Sequence, residues 1–354
     1  MIDIGPCEKV NNPPILDVLN GNTSKKNPCW IMRQAGRYLP EYRKIRAQQN
    51  SFSSFLFSTD DVAEVTLQPL RRFNLDAAII FSDILVVPIM LGLDVEVKEN
   101  IGPRLSTVNE PKDIISLEKN YNPHLCEPIY AAIQKVKSCL DPLKALIGFA
   151  GAPWTVASYM IEGQTSKTFT KIKSFGYRYP NDFKKFLGLL AEVTANHLKQ
   201  QILNGADIVK IFDSWAGSVP HGYFKDWVIE PHQKIVTSIK TDFPHIPIIS
   251  FPKGIAQSSY LEYVHQVPVE CVAFDSQLSP SWVAENLQNN KVVQGGLDSS
   301  LLIVGGEALI KETIYYLNEL SEKPYIFNLG HGILPETPIE NVSLMLKTIE
   351  EYAL

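Results

Sequence analysis

The sequence predicts an α/β chain built as one (β/α)8 TIM barrel, somewhat distorted and carrying insertions. Three observations lead there: eight short β-rich apolar runs, helical stretches between them, and polar residues standing directly after the runs. Strands that alternate with helices return by crossover connections and so form a parallel sheet. Divided over roughly 300 residues, the units come to about 38 residues each, near the usual barrel unit once insertions are allowed.

In chain order the runs are Trp30–Met32, Ala77–Phe81, Leu146–Ala150, Ile208–Phe212, Pro247–Phe251, Cys271–Phe274, Val292–Gln294 and Tyr325–Asn328. They are rich in Val, Ile and Phe with little polar alternation, as strands buried on both faces are. Between them, Pro40–Gln48 opens with Pro-Glu, which suits a first helical turn. Pro180–Leu203 carries apolar residues at helical spacing up to an Asn204-Gly205 stop. Val95–Leu105 reads as a polar hairpin-like insertion, a lid or a surface loop, with Glu99-Asn100 and Gly102-Pro103 as turn material. No low-complexity stretch or Gly/Pro/Ser linker offers a boundary, so residues 1–354 are expected to form one domain, with a poorly ordered leader over about residues 1–13.

Composition narrows the class. The chain is 45% apolar and 20% charged, enough for a large core. A formal charge of -5 argues against a nucleic-acid footprint spread over the surface. No apolar run approaches the ~20 residues of a membrane span, and no basic and then apolar leader opens the chain. The five cysteines are scattered without a CxxC pair, which suggests neither a disulfide framework nor a zinc knuckle. A cytosolic location is expected.

The residues after the runs are Arg33, Asp83, Gly151 to Thr155, Asp213-Ser214, Lys253, Asp275, Asp298 and His331. Loops at the C-terminal ends of barrel strands converge over the mouth, where the active sites of this fold lie. Helix capping alone explains about half of these Asp and Ser positions, but not Arg33 or His331. The loop after the first run places Arg33 and Arg37 four residues apart around Gln34-Ala35-Gly36. Guanidinium forks bind carboxylates bidentately, so such a pair suits a substrate with several carboxylates, although spacing alone favours two exposed structural arginines. Asp83 is embedded in apolar sequence, where a charge is either an N-cap or salt-bridge partner or a functional group. Gly148 to Gly163 passes from strand through a Gly/Pro turn into a helix that carries Tyr159, either a buried structural phenol or one offered to a substrate carboxylate. His331 has Gly330 and Gly332 on either side, which leaves its ring accessible. The seven histidines show no HExxH spacing, and GxGxxG and GxxxxGK[ST] are absent, so no metal or nucleotide cofactor is expected.

From Pro28 to Arg37 the chain matches the pattern P-x-W-x-M-R-Q-A-G-R without a gap, and in this it resembles the uroporphyrinogen decarboxylase family. The similarity continues through Phe81 to Ile84, Gly148 to Gly163, Phe212 to Gly217 and Asn328 to Gly332. The resemblance implies a single-domain barrel, usually a homodimer, that converts uroporphyrinogen to coproporphyrinogen by stepwise loss of four carboxyl groups, without cofactor or metal. It implies that Arg33 and Arg37, with the Gln34, Ala35 and Gly36 backbone between them, bind substrate carboxylates. Asp83 would face the pyrrole nitrogens, Tyr159, Ser214 and His331 would complete the pocket, and Phe149 and Phe212 would line it. Asp83, Arg37 and His331 are the implied catalytic set. Asp275-Ser276 and Gly295-Gly296-Leu297-Asp298 depart from the family's usual Asp-Trp and Gly-Asn-Leu-Asp and touch peripheral contacts only.

The chemistry agrees. An acetate arm cannot lose CO2 until the pyrrole becomes an electron sink, and protonation of a ring carbon makes it one. An ionised Asp83 would stabilise that cation; His331 suits proton delivery at neutral pH, whereas Arg37 would act through water or a substrate carboxylate. Two other readings compete: a superfamily methyltransferase holding zinc through His and Cys, for which His221 and Cys271 are isolated candidates, and a silent barrel that only binds polycarboxylates.

Overall fold

The computed structural model describes residues 12–98 and 102–353, so the expected leader lies largely outside the described residues. Nine strands are present among them: β1 (Ala77–Ile79), β2 (Val95–Lys98), β3 (Gly102–Leu105), β4 (Ala145–Gly151), β5 (Ile208–Asp213), β6 (Ile248–Pro252), β7 (Cys271–Phe274), β8 (Val292–Gly295) and β9 (Tyr325–Ile326). Seven of them pair in parallel in the order β1-β4-β5-β6-β7-β8-β9. Helices connect the successive strands of this sheet and pack against it. The molecule is thus a mixed α/β fold around a parallel sheet.

Side-chain alternation explains why that sheet curls. Ile79, Ile147, Ile208, Ile249, Ala273, Val292 and Ile326, one from each of the seven strands, gather with Trp30 and Met32 in a single buried cluster. Their neighbours Val209, Ile211, Val272 and Val293 point the other way, into the helical layer. A strand apolar on both faces is satisfied only when both are covered, and burial of one such side chain is worth about 1.5–3 kcal/mol. The long helix Pro180–Leu203 shows the matching pattern, burying Phe183, Leu187, Leu190, Thr194 and Leu198, and its chain reverses at Gly205 with φ +115°.

Where the sequence suggests eight strands, seven form ladders. The run Trp30–Met32 contributes only a bridge, Cys29 to Phe327. Its backbone groups are taken by side chains: the Ile31 N–H donates to Gln34 Oε1 at 3.1 Å, and the Met32 N–H donates to Asn328 Oδ1 at 3.1 Å. The segment nevertheless touches both edges of the sheet, since Phe327 N–H donates to the Pro28 carbonyl and Asp76 N–H donates to the Cys29 carbonyl, each at 2.9 Å.

The insertion is an antiparallel β2–β3 hairpin, as expected. Its tip, with the expected Glu99-Asn100 turn, lies outside the described residues, while Gly102 and Pro103 belong to strand β3 and not to the turn. The helix expected over Pro40–Gln48 runs from Pro40 to Arg46. Among the described residues no helix is long and apolar enough to cross a membrane.

Gln34 ties this arrangement together. Fully buried, it accepts from Ile31 and donates to the Ala77 carbonyl at 3.1 Å, joining the Arg33 loop to β1. Gln34→Leu would strand a buried N–H and a buried carbonyl, and its expected cost is about 2–4 kcal/mol in urea unfolding. A loss below about 0.5 kcal/mol, the scatter of neutral surface changes, would show that the loop is held by other contacts.

Candidate active site

Beyond the C-terminal ends of the strands lies a cavity of about 330 Å3. Three rings form its floor, one from each of β4, β5 and β6: Phe149 stands edge-on to Phe212 at 5.4 Å and 86°, and Phe212 to Phe251 at 6.4 Å and 75°. Arg33, Asp83, Tyr159, Ser214 and His331 line the sides, and Val97 and Pro103 bring the hairpin into the wall. Aromatic and apolar below, polar around, the cavity suits a molecule with unsaturated rings and polar arms.

Asp83 follows β1. One carboxylate oxygen accepts the Leu85 N–H at 2.8 Å, so the side chain does cap the turn that follows. Its other oxygen has no protein partner among the described residues. The residue also borders a second cavity of about 320 Å3, lined in part by Arg46, Ser51 and Phe52. Loss of water raises its pKa above the ordinary carboxylate value, while the Leu85 N–H and the Arg33 guanidinium oppose the rise. Gly151 makes the close fit possible, because a Cβ there would lie 2.8 Å from both Ile84 Cβ and Val156 Cγ2.

Arg33 is exposed and held at φ +63°, a left-handed conformation that costs a non-glycine residue about 1–3 kcal/mol. Its side chain crosses Gly332, where a Cβ would come within 2.8 Å of Cγ and 2.9 Å of Nε. His331 stands beside it at the mouth. Although the residue is exposed, the protein around the ring takes part of its water, and this first, with the cations Arg33 and Lys253 next, lowers the imidazole pKa to about 4, so the ring is neutral at pH 7. Neutral His331 offers one donor and one acceptor, not a ready proton. Tyr159 is shifted the opposite way: burial raises its pKa and the phenol stays protonated, with Thr165 and Trp215 against its hydroxyl.

Ser214 is fixed by its neighbours. Thr155 Oγ1 donates to Asp213 Oδ1 at 2.5 Å and accepts the Trp215 N–H at 3.0 Å. Asp213 Oδ2 meets His232 Nε2 at 3.2 Å, and the chain of contacts runs on through Tyr263 to Ser250, each step 2.6 Å. Trp154 donates to the Trp215 carbonyl at 2.9 Å. The backbone on both sides of Ser214 is thereby immobilised.

Of the residues singled out from sequence, Arg33, Ala35, Asp83, Phe149, Tyr159, Phe212, Ser214 and His331 all line the cavity. Gln34, Gly36 and Arg37 do not: the Gln34 side chain points into the core, and Arg37 is exposed on the outer turn, its carbonyl accepting from Arg43 at 2.7 Å. The supporting His232 and Tyr263 left no signal in sequence, because each stands in an ordinary helix. Lys210 did leave one, a cation within the apolar strand run Ile208–Phe212.

A family model described as "Uroporphyrinogen decarboxylase (URO-D)" matches residues 10–352. The chain belongs to the uroporphyrinogen decarboxylase family. A uroporphyrinogen decarboxylase from Novosphingobium aromaticivorans is 42% identical over 340 residues, 96% of this chain and 99% of that protein. One from Rickettsia bellii is 48% identical over 328 residues, 92% and 95% of the two chains. Among solved structures, a methyltransferase from Methanosarcina mazei aligns with a TM-score of 0.79 at 18% identity, covering 96% of this chain and 98% of that one, which is a likeness of fold alone. No group of three His, Cys, Asp or Glu among the described residues could hold a metal, and the two candidates for such a site are placed apart, His221 exposed after β5 and Cys271 buried within β7.

A raised carboxylate pKa means that folding disfavours ionised Asp83. Below the unfolded pKa both states are protonated and nothing is lost; above the folded pKa the full cost is present. Asp83→Asn keeps the acceptor for Leu85 and removes the charge. The variant is expected to melt above the wild type at pH 7, with the gap shrinking as pH falls through the carboxylate range; an equal or lower Tm at pH 7 would contradict the desolvation of Asp83.

Proposed function

We propose that this member of the family is a uroporphyrinogen decarboxylase, which removes the four acetate carboxyl groups of uroporphyrinogen one after another as CO2 and releases coproporphyrinogen, a step of haem biosynthesis. The observation that carries the reading is the half-buried carboxylate of Asp83, its pKa raised by loss of water and one oxygen unpaired among the described residues, above an aromatic floor. We further read the curled sheet, with residues 29–32 in the gap between β9 and β1, as a distorted (β/α)8 barrel in one domain. A homodimer, a cytosolic location and independence from metals and cofactors complete the proposal, on the strength of the family resemblance.

In this reading the substrate rests on Phe149 and Phe212, with its pyrrole N–H groups toward Asp83. Protonation of a ring carbon creates an iminium-like cation, and the charge of Asp83 stabilises it. The C–C bond to the carboxylate then breaks, its electron pair enters the ring, CO2 leaves, protonation of the exocyclic methylene yields a methyl group, and the ring carbon gives back the proton it first took, which restores the pyrrole. Each arm consumes one proton. Preorganised charge of this kind is worth about 3–4 kcal/mol, or roughly 10²- to 10³-fold in rate. Arg33, with the backbone of Gln34, Ala35 and Gly36, receives carboxylates at the rim, and Arg37 joins from its outer turn. Tyr159 donates its phenolic proton to a carboxylate. Ser214 and neutral His331 supply further hydrogen bonds, and a carboxylate bound beside His331 would raise the imidazole pKa toward a value suited to proton transfer.

The test is incubation with freshly reduced uroporphyrinogen in metal-free buffer, with carboxyl groups counted in the oxidised products. Products with seven, six, five and then four are expected; binding without CO2 release would leave a silent polycarboxylate-binding protein. Asp83→Asn is expected to bind substrate and lose about 10²- to 10³-fold in kcat. Arg37→Ala is expected to raise KM and alter the acid limb of the pH profile, and unchanged kinetics at every pH would remove it from the site.

A further inference from the structure

Lys210 lies in the middle of β5, pointing with Ile208 and Phe212 into the concave interior of the sheet. It is fully buried, and its Nζ has no hydrogen-bond partner among the described residues. Three aromatic rings face it: Trp30 at 4.8 Å, Phe212 at 5.0 Å and Phe251 at 5.4 Å. An unpaired ammonium in such a place is costly, and cation–π contact offsets only part of the cost. Methionine would fill the same space without that penalty.

Nothing inside the fold explains the charge. Among the described residues, the titratable group that acts on Lys210 is the Cys271 thiol of β7, itself neutral because burial pushes its pKa up to about 12. From the Trp30 segment and from β6 it faces aromatic rings alone. Burial lowers the lysine pKa to about 7, so charged and neutral forms balance at neutral pH and a modest outside field decides between them.

That field comes from the cavity. Phe212 and Phe251, two of the three rings over Nζ, are also its floor, so the amine lies one aromatic layer beneath the bound molecule. Above the floor Arg33 lines the cavity and Lys253 acts on His331 at its mouth; beneath the floor lies Lys210. We propose that Lys210 is a positioning residue for a polycarboxylate substrate, taking a proton from solvent when the polyanion settles on the aromatic floor and returning it when a less charged product leaves. The inference rests on the polycarboxylate reading of the cavity. It adds a consequence: the attraction weakens as carboxylates are removed, so Lys210 favours the most carboxylated molecules and helps retain partly processed ones.

Lys210→Met keeps the shape and is expected to fold at least as well as the wild type. Wild-type turnover of uroporphyrinogen is measured first, since its absence defeats the functional reading itself. Given turnover, the variant is expected to keep kcat and raise KM by about threefold or more for the eight-carboxylate substrate, and by less for the five-carboxylate intermediate, as charges acting through roughly 10 Å of protein would do. Its KM should also lose the rise that the wild type shows as pH passes upward through about 7. Calorimetry of coproporphyrinogen binding in buffers of different ionisation heat reads the proton directly. Asp83, His331 and the ligand carboxylates contribute equally to both proteins, so a smaller uptake in Lys210→Met supports the proposal. Equal uptake, or an unchanged KM–pH profile with equal losses for both substrates, overturns it. Should the variant fail to fold, proton uptake by the wild type that does not peak near neutral pH overturns it as well.

Discussion

A carboxylate that loses its water on folding sets the terms for the rest of the molecule. Asp83 is disfavoured as an anion by its surroundings, and the two influences that oppose this are a single backbone N–H from Leu85 and the charge of Arg33. Neither neutralises it by direct ion pairing. The fold therefore keeps an ionisable group in a place where it gains stability by losing its charge, and stability must be found in the packing around it. The close pass of Gly151 under Ile84 and the immobilised backbone around Ser214 are parts of that packing.

The irregularity at the start of the sheet has the same origin. Gln34 and Asn328 take the N–H groups of Ile31 and Met32, which a laddered strand would have given to its neighbours. What is lost in regular pairing allows Arg33 to adopt a left-handed backbone and lay its side chain across Gly332, beside His331. Had residues 29–32 paired along their length, the chain would leave the sheet extended and carry Arg33 past the cavity mouth. The missing ladder and the position of the guanidinium are one structural decision.

Most of the large sheet was legible because strands buried on both faces announce themselves as apolar runs, and β4 to β9 fall where those runs fall to within a few residues. Residues 29–32 look like the others in composition; what distinguishes them is side-chain competition for backbone groups, visible only once Gln34 and Asn328 have been brought together in space. Eight of the residues singled out line the cavity: strand alternation fixes the direction of Phe149 and Phe212, and the segments that follow the strands converge over the mouth with the others. The direction of Gln34, set by the turn it builds, carried no such guarantee. Protonation states were the least legible: a histidine between two glycines suggests a group ready to titrate near neutrality, yet loss of water first, and then the cations Arg33 and Lys253 from distant parts of the chain, hold it neutral.

Charge is also organised across the aromatic floor. Lys210 and Asp83 are both buried ionisable groups near the same cavity, of opposite sign, and neither appears among the influences on the other. A direct pair would satisfy both and fix both charges. It would also quench the anion that a pyrrole cation needs and the cation that a polyanion attracts. With Asp83 in the wall and Lys210 under the rings, each remains available to a different part of one ligand: a ring that turns positive during reaction, and arms that are negative before it. A molecule must carry charges of both kinds, in sequence, for this separation to be useful, and a tetrapyrrole shedding carboxylates is one that does.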